Sequence, residues 1–264
     1  MLDALFDIPL VITGPAIIII LCLYSVVGLL IVRRCILPRL RVQIADSEFG
    51  GAMLQAVMVF YGLATALIAV GVWQSYSDTA KLVSGEATSL AALYRDIDTY
   101  PEPFRSTVHA DIREYTRYII EEAWPLQRRG QVPSGGVSRI DRMEHDLLAF
   151  QPTTDSQKII HAEAFRAYNT MVLARRLRLD SVTTALPTVM WIVVIAGAFI
   201  GLTSSFFFKV DDARFQSIHA VLLSTFIGLV IFLIVALDRP FRGDLGLTAA
   251  PYQLIYDQLM TRGD

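Results

Sequence analysis

A membrane protein built only of α-helices, with a helical bundle inserted between two pairs of spans, is the fold class that three features of this chain predict. Four runs carry no acidic or basic residue: Leu10 to Val32, Met53 to Trp73, Pro187 to Phe208 and Ala220 to Leu237. Each is near the ~20 apolar residues needed to cross a ~30 Å hydrocarbon core. The runs are arranged as two, then a long charged stretch, then two. That stretch, Gln74 to Leu186, shows helical periodicity, and no alternating strand pattern of useful length occurs in the chain. A hydrophobic fraction of 54% and a mean hydropathy of +0.49 exceed those of an ordinary soluble domain.

The expected organisation follows in order: transmembrane helices 1 and 2 with a short basic loop over residues 1–73, an extramembrane helical domain over 74–186, transmembrane helices 3 and 4 over 187–237, and a juxtamembrane tail over 238–264. The N-terminus, with Asp3 and Asp7 before the first run, lacks the basic region of a cleaved signal peptide and reads as an uncleaved first span. Span one ends in Arg33, Arg34, Arg39 and Arg41, with Pro38 as a helix stop. By the positive-inside rule this loop is cytoplasmic, which puts the central domain outside the bacterial inner membrane. Arg175, Arg176 and Arg178 before span three, and Arg239 and Arg242 after span four, weigh against that orientation.

Span two is rich in small residues. Ala52 with Ala56 and Gly62 with Ala66 repeat at four-residue spacing, and Gly197 and Gly201 form a GxxxG pair on span three. Such faces admit close backbone approach, so spans two and three are the expected tight pair, leaving spans one and four more exposed to lipid. In the domain, a helix continuing span two should run to Asp98 before Pro101 and Pro103. A second should run from Pro103 to Ala123 and end at Trp124-Pro125. A third should cover Ser138 to Phe150, and a fourth, capped by Thr154 or Asp155, should lead into span three. A weakly amphipathic tail helix is expected over Pro251 to Met260.

Several function classes are excluded by composition and spacing. The net charge is −2, and the central stretch balances 14 Lys+Arg against 15 Asp+Glu, so no field for nucleic acid exists. Cys22 and Cys35, roughly 20 Å apart on a continuous helix, cannot pair with each other. Neither Glu144-His145 nor His161-x-Glu163 has the Glu-x-x-His spacing of helical metal sites, and no phosphate loop or nucleophile elbow occurs. No metal, cofactor or enzyme activity is expected. Proton-coupled carriers keep ionisable groups inside their spans, whereas a channel needs only neutral lining groups.

The pore-lining candidates are therefore Gln55, Gly62, Thr65, Ala66 and Ala69 on span two. Tyr61, Thr203, Ser204, Ser205, Ser224 and Thr225 are further polar positions, and the alternative for every hydroxyl is a bond to its own backbone or a neighbouring helix. Glu86, Arg95 and Asp96 on one domain helix and Arg175, Arg176 and Arg178 on another either salt-bridge the domain base or ring a vestibule. Asp238, Arg239 and Arg242, around Pro240, either anchor span four to lipid phosphate or fix the tail by an ion pair.

The string Glu86-Ala87, Leu90, Leu93-Tyr94-Arg95-Asp96, the Trp124-Pro125 pair, Arg175-Arg176-Leu177-Arg178, Pro187 with Trp191, and above all Asp238-Arg239-Pro240-Phe241-Arg242-Gly243 resemble the bestrophin-like family of bacterial membrane proteins. The likeness is scattered from Arg33 to Leu259. Ala45-Asp46 stands where that family often has Asn-Asp. The resemblance implies kinship with bestrophins, pentameric anion channels whose helical domain lies between spans two and three, on the cytosolic side. Their aromatic neck and acidic calcium clasp are not evident here, so anion selectivity and calcium gating do not carry over. Two readings follow: a homo-oligomeric channel for an unspecified small ion, or a non-conducting scaffold or envelope sensor whose helical domain binds a protein or lipid partner.

Overall fold

The computed structural model describes residues 8–40, 44–208 and 212–261, with backbone alone for 40 and 44–49. Every regular element among the described residues is helical. Helix α1, Leu10–Ile31, continues through a π-helical turn, Val32–Ile36, into Leu37–Leu40. Helix α2 is a single helix, Ile44–Ile97. Helix α3, Phe104–Tyr118, passes through a second π turn, Ile119–Ala123, into α4, Trp124–Arg128. Then come α5, Val137–Ala149, α6, Asp155–Ser181, α7, Thr188–Ser205, α8, Ala213–Leu237, and α9, Ala250–Ile255, extended by a π turn over Tyr256–Met260. Four of the helices are long and apolar enough to cross a membrane: Leu10–Arg39, Gly50–Ile97, Thr188–Ser205 and Ala213–Leu237.

Two expected helix stops are not stops. The helix passes through Pro38 and through Trp124-Pro125, and in both places a π turn ends two residues before the proline. A proline ring collides with the carbonyl four residues back. Here that residue is Arg34 or Glu121, each inside the wider turn, so the helix bulges instead of ending.

A third expectation also changes. The fourth domain helix does not run into span three, because α6 ends at Ser181 and α7 begins at Thr188 after Pro187. Proline disfavours helical geometry in the residue before it. The capping expectation resolves to Thr154, whose hydroxyl accepts from the Gln157 amide in a reciprocal capping box.

The chain divides into two compact units. The first comprises residues 1–74 and 185–238 and contains α1, the N-terminal part of α2, α7 and α8. Within it the most extensive interhelical contact is between α1 and α8. Ser25 and Ser224 share a 2.5 Å hydrogen bond there. Any side chain at Gly228 would press on the backbone of Ile18, 3.2 Å away. Within one chain the larger contact is thus between the first and fourth of these helices, where the small-residue pattern had pointed to the second and third. The apolar stretches are buried to 22% in α1, 11% in α2, 28% in α7 and 50% in α8. The α1–α8 contact was hidden because the small residues that allow it, Gly14, Ser25, Ser224 and Gly228, are spread thinly among Ile and Leu.

The second unit comprises residues 75–184 and 239–264. Its core joins Leu90, Leu93 and Ile97 of α2, Ile112 and Tyr115 of α3, Met143 and Leu147 of α5 and Met171 of α6. The tail contributes Phe241, Tyr252 and Met260 to the same core. The described part of the tail therefore packs into the bundle.

Candidate functional site

Three places in the molecule gather the residues singled out by sequence. The first is a face of α2 in the apolar unit. A helix advances 100° per residue, so Gln55, Gly62, Ala66 and Ala69 fall within about 60° of one another. Gln55, Gly62 and Ala66 are exposed and Ala69 is half-buried. Ala52 and Ala56 are exposed as well. A side chain added at Gly62 would meet nothing within 4 Å.

Thr65 does not share that face. Ten residues from Gln55, it is turned by about 80° and points into its own unit. It is 3% exposed, and its hydroxyl donates back to the Tyr61 carbonyl at 2.8 Å. Gly197 and Gly201 of α7 meet the flank of α2 that carries Met58, Thr65 and Tyr61, turned by about 60–120° from Gln55. Side chains there would collide with the Tyr61 ring and the Met58 sulfur. The Tyr61 hydroxyl donates to the Val194 carbonyl at 3.1 Å, so α2 and α7 touch through large residues of α2 seated on glycines of α7.

The second place is a charge pair inside the helical unit. Glu86 and Arg178 are 0% and 1% exposed. The Arg178 guanidinium donates to both carboxylate oxygens, from Nε at 2.7 Å and from Nη2 at 3.1 Å. The Tyr115 hydroxyl donates to Glu86 Oε1 at 2.9 Å. The Tyr252 ring lies 5.8 Å from the guanidinium carbon.

Burial opposes the Arg178 charge, but the adjacent Glu86 carboxylate outweighs it and holds Arg178 well above the usual arginine value. Burial, and then the same carboxylate, pushes the Tyr115 and Tyr252 hydroxyls well above the usual tyrosine value. The other four charges expected here are placed differently. Arg95 and Arg176 are exposed, and Asp96 and Arg175 are half-buried.

The third place is built by the tail motif. Asp238 closes the apolar unit, where its carboxylate accepts from the Leu186 amide at 2.6 Å, just before α7. The motif then turns into the helical unit. Phe241 is 1% exposed and meets the Trp124 ring edge-on at 5.6 Å. Tyr252 lies 5.7 Å from the same indole, whose N–H donates to the Leu247 carbonyl at 3.1 Å. Gly243 has φ +73°, which favours glycine. Pro240 is buried, and Arg239 and Arg242 are half-buried.

A bestrophin-like domain model matches residues 19–252. The chain belongs to the bestrophin-like family. Among solved structures, a point mutant of a bacterial bestrophin homologue from Klebsiella pneumoniae is similar at a TM-score of 0.72 and 12% identity, over 94% of this chain and 99% of that one. A second mutant from the same organism is similar at a TM-score of 0.67 and 14% identity, over 91% and 96%. A third structure, of a membrane protein, is similar at 0.66 and 13%, over 92% and 96%. No curated protein matches the chain significantly. The bestrophin-like fold and the apolar helices make this a multi-pass membrane protein.

Several residues of this bestrophin-like chain were not evident as site residues from sequence. Tyr115 and Tyr252 carry no charge and stand in no motif, yet the Tyr115 hydroxyl bonds Glu86 and the Tyr252 ring lies beside the Arg178 guanidinium. Ser25 and Tyr24 stand in an apolar run outside any motif, yet Tyr24 bonds Thr203 of α7 at 2.7 Å. Their one signal was polarity inside an apolar run, which marks helix contacts as readily as a pore.

No group of three or more potential metal ligands occurs among the described residues. Cys22 and Cys35 are free thiols. The Ala45-Asp46 position and Arg41 lie outside the described side chains.

Proposed function

We propose that this chain assembles as a homo-oligomer, on the resemblance a pentamer, that conducts small ions across a bacterial inner membrane, with α2 lining the central pore. The observation that carries the reading is the poor coverage of α2 by its own subunit: the helix bearing Gln55, Gly62 and Ala66 on one exposed face is 11% buried over its apolar stretch. A helix that faces a subunit axis needs small and neutral polar residues on that side, and none of the four proposed spans carries an internal charge. Four helices per chain are too few to enclose a wide pore alone. Arg95 and Arg176, exposed in the helical unit, are candidates for charge around the pore mouth, whereas Glu86 and Arg178 are paired with each other.

In this reading the four apolar helices are four spans, and residues 74–186 form the domain inserted between the second and third. The arginines at 33, 34 and 39 support a cytoplasmic loop and an external domain. The resemblance implies the opposite side. A cysteine placed between Val132 and Ser138 is expected to react with an impermeant label on intact cells, and labelling only after lysis overturns the external placement. For conduction, purified protein in planar bilayers is expected to give currents above empty controls. Their absence across pH and divalent-cation conditions overturns the channel in favour of a scaffold.

A further inference from the structure

Within the helical unit, α3 runs antiparallel to α2. His109 Nε2 lies 2.9 Å from the Tyr94 carbonyl and the Tyr115 hydroxyl donates to Glu86 at 2.9 Å, so six residues forward on α3 take eight back on α2. The thirteen residues from Tyr115 to Arg128 descend roughly 20 Å further. A similar length of α2 leads back from Glu86 to Ser75, where the unit begins. Trp73, two residues earlier in the same unbroken helix, closes an apolar run.

The tail fixes the same height independently. The Tyr76 hydroxyl donates to the Leu245 carbonyl at 3.0 Å, and the Trp124 indole N–H donates to the Leu247 carbonyl at 3.1 Å. Residues 245–247 thus tie the foot of α2 to the first residue of α4, one turn before Arg128. There the chain reverses. Gly130, at φ +73°, donates to the Gln127 carbonyl at 2.8 Å, and the Gln131 amide donates to the Leu126 carbonyl at 3.0 Å. The tip of this turn is therefore at the end of the unit where α2 has just left its apolar run.

The tip is basic and open. Arg128, Arg129 and Gln131 are exposed. Among the described residues no carboxylate pairs with either guanidinium, whereas Arg105, Arg139, Arg142, Arg166 and Arg178 of the same unit each meet one. Asp244, the acid of the adjoining turn, has a partner of its own. Leu245, held at this height by Tyr76, is 52% exposed.

We infer that this foot rests on the membrane surface, where Arg128 and Arg129 bind the phosphates of anionic glycerophospholipids and Leu245 enters the boundary between headgroups and acyl chains. Unpaired arginines beside an exposed leucine suit that boundary, and a bilayer must be present at the height where an apolar span emerges. The inference rests on the apolar helices being spans and not on conduction, which none of the readouts below involves.

Native mass spectrometry of the detergent-purified full chain, incubated separately with phosphatidylglycerol and phosphatidylcholine, is expected to show preferential retention of the first. Arg128→Gln with Arg129→Gln should reduce that preference by roughly fivefold per arginine. Arg105→Gln, which removes an arginine paired with Glu102 at the far end of α3, should leave it unchanged. Equal retention by the parent, an unchanged preference in the double variant, or an equal loss in both variants overturns the inference. As a check that alters no charge, a photo-crosslinker at position 131 of the full chain in vesicles of the two lipids should yield lipid adducts. One at position 151 should yield none, because its neighbour Phe150 packs on Phe104 at the far end of the bundle. Chain-to-chain adducts at 131 would show that a second copy covers the foot, and no adduct there would show that it stands in water; either result overturns the inference.

Discussion

Arg178 forks onto Glu86 with both groups sealed from solvent, Nε to Oε2 at 2.7 Å and Nη2 to Oε1 at 3.1 Å. The two residues lie 92 positions apart, one on α2 and one on α6. Removing either partner leaves a full charge stranded in a dry core. Glu86→Gln should therefore destabilise the protein by about 3–5 kcal/mol. The isosteric apolar pair Glu86→Leu with Arg178→Met should be far milder than either single change. Thermal unfolding in detergent reads both, and additive losses would show that the pair is not coupled.

The α2 face is tested by assembly. Gly62 has open space around it within one chain, so a larger side chain there has no steric effect on the isolated subunit. Gly62→Leu or Ala66→Leu is expected to shift the oligomer toward smaller species on size-exclusion chromatography with light scattering, leaving helicity unchanged. Gln55→Leu should keep the oligomer and alter conductance. If neither kind of change has an effect, α2 faces lipid.

The tail holds the bundle through an aromatic contact. Phe241→Ala removes a fully buried ring from against Trp124 and should destabilise by about 3 kcal/mol or more. Gly246→Ala should act in the same direction by about 1–3 kcal/mol, because the added methyl would lie 2.6 Å from the Phe241 carbonyl oxygen. Limited proteolysis should cut the C-terminal segment first in both variants. If the tail only anchored to lipid, stability in detergent would not change.

A carboxylate in the helical unit makes stability depend on pH. Burial, and then the neighbouring Asp146 carboxylate, raises Asp111 from the ordinary range to about 6, against the opposing pull of Arg142. The folded chain thus holds a proton that the unfolded chain releases near its ordinary value of 3.8. The stabilisation is complete below that value and is lost as the pH rises through about 6. Asp146→Asn removes one cause of the shift. The Tm of this variant relative to the parent should rise from pH 4 to pH 7, and a pH-independent difference would remove the Asp111–Asp146 interaction from the account.

Much of the helical pattern was legible because it rests on short-range chemistry. Thr154 marks a helix start whichever neighbours pack on it, whereas a break stands before Pro187 where the sequence predicts a helix leading into span three. The π turns before Pro38 and Pro125 were not legible, since a proline in sequence predicts a stop. Whether the chain stops or bulges depends on packing further along the helix. The pore candidates separate in the same way. Gln55, Gly62 and Ala66 share a face by helical geometry alone, while Thr65, chosen for its chemistry, is turned about 80° from Gln55 and is buried within its own chain.

The sequence by itself determined a helical membrane protein with four uncharged runs, a charged bundle between them and a bestrophin-like motif after the last. These follow from the free energy of putting apolar residues in hydrocarbon and from local backbone preferences, both of which act within a few turns of helix. Only the tertiary structure decided that α1 packs most extensively on α8, that Glu86 belongs to Arg178, and that Phe241 closes on Trp124. Each of these joins residues far apart in the chain, and many small or aromatic side chains could have served equally well. Which ones meet is set by the close packing of whole helices, a property that no local stretch of sequence carries.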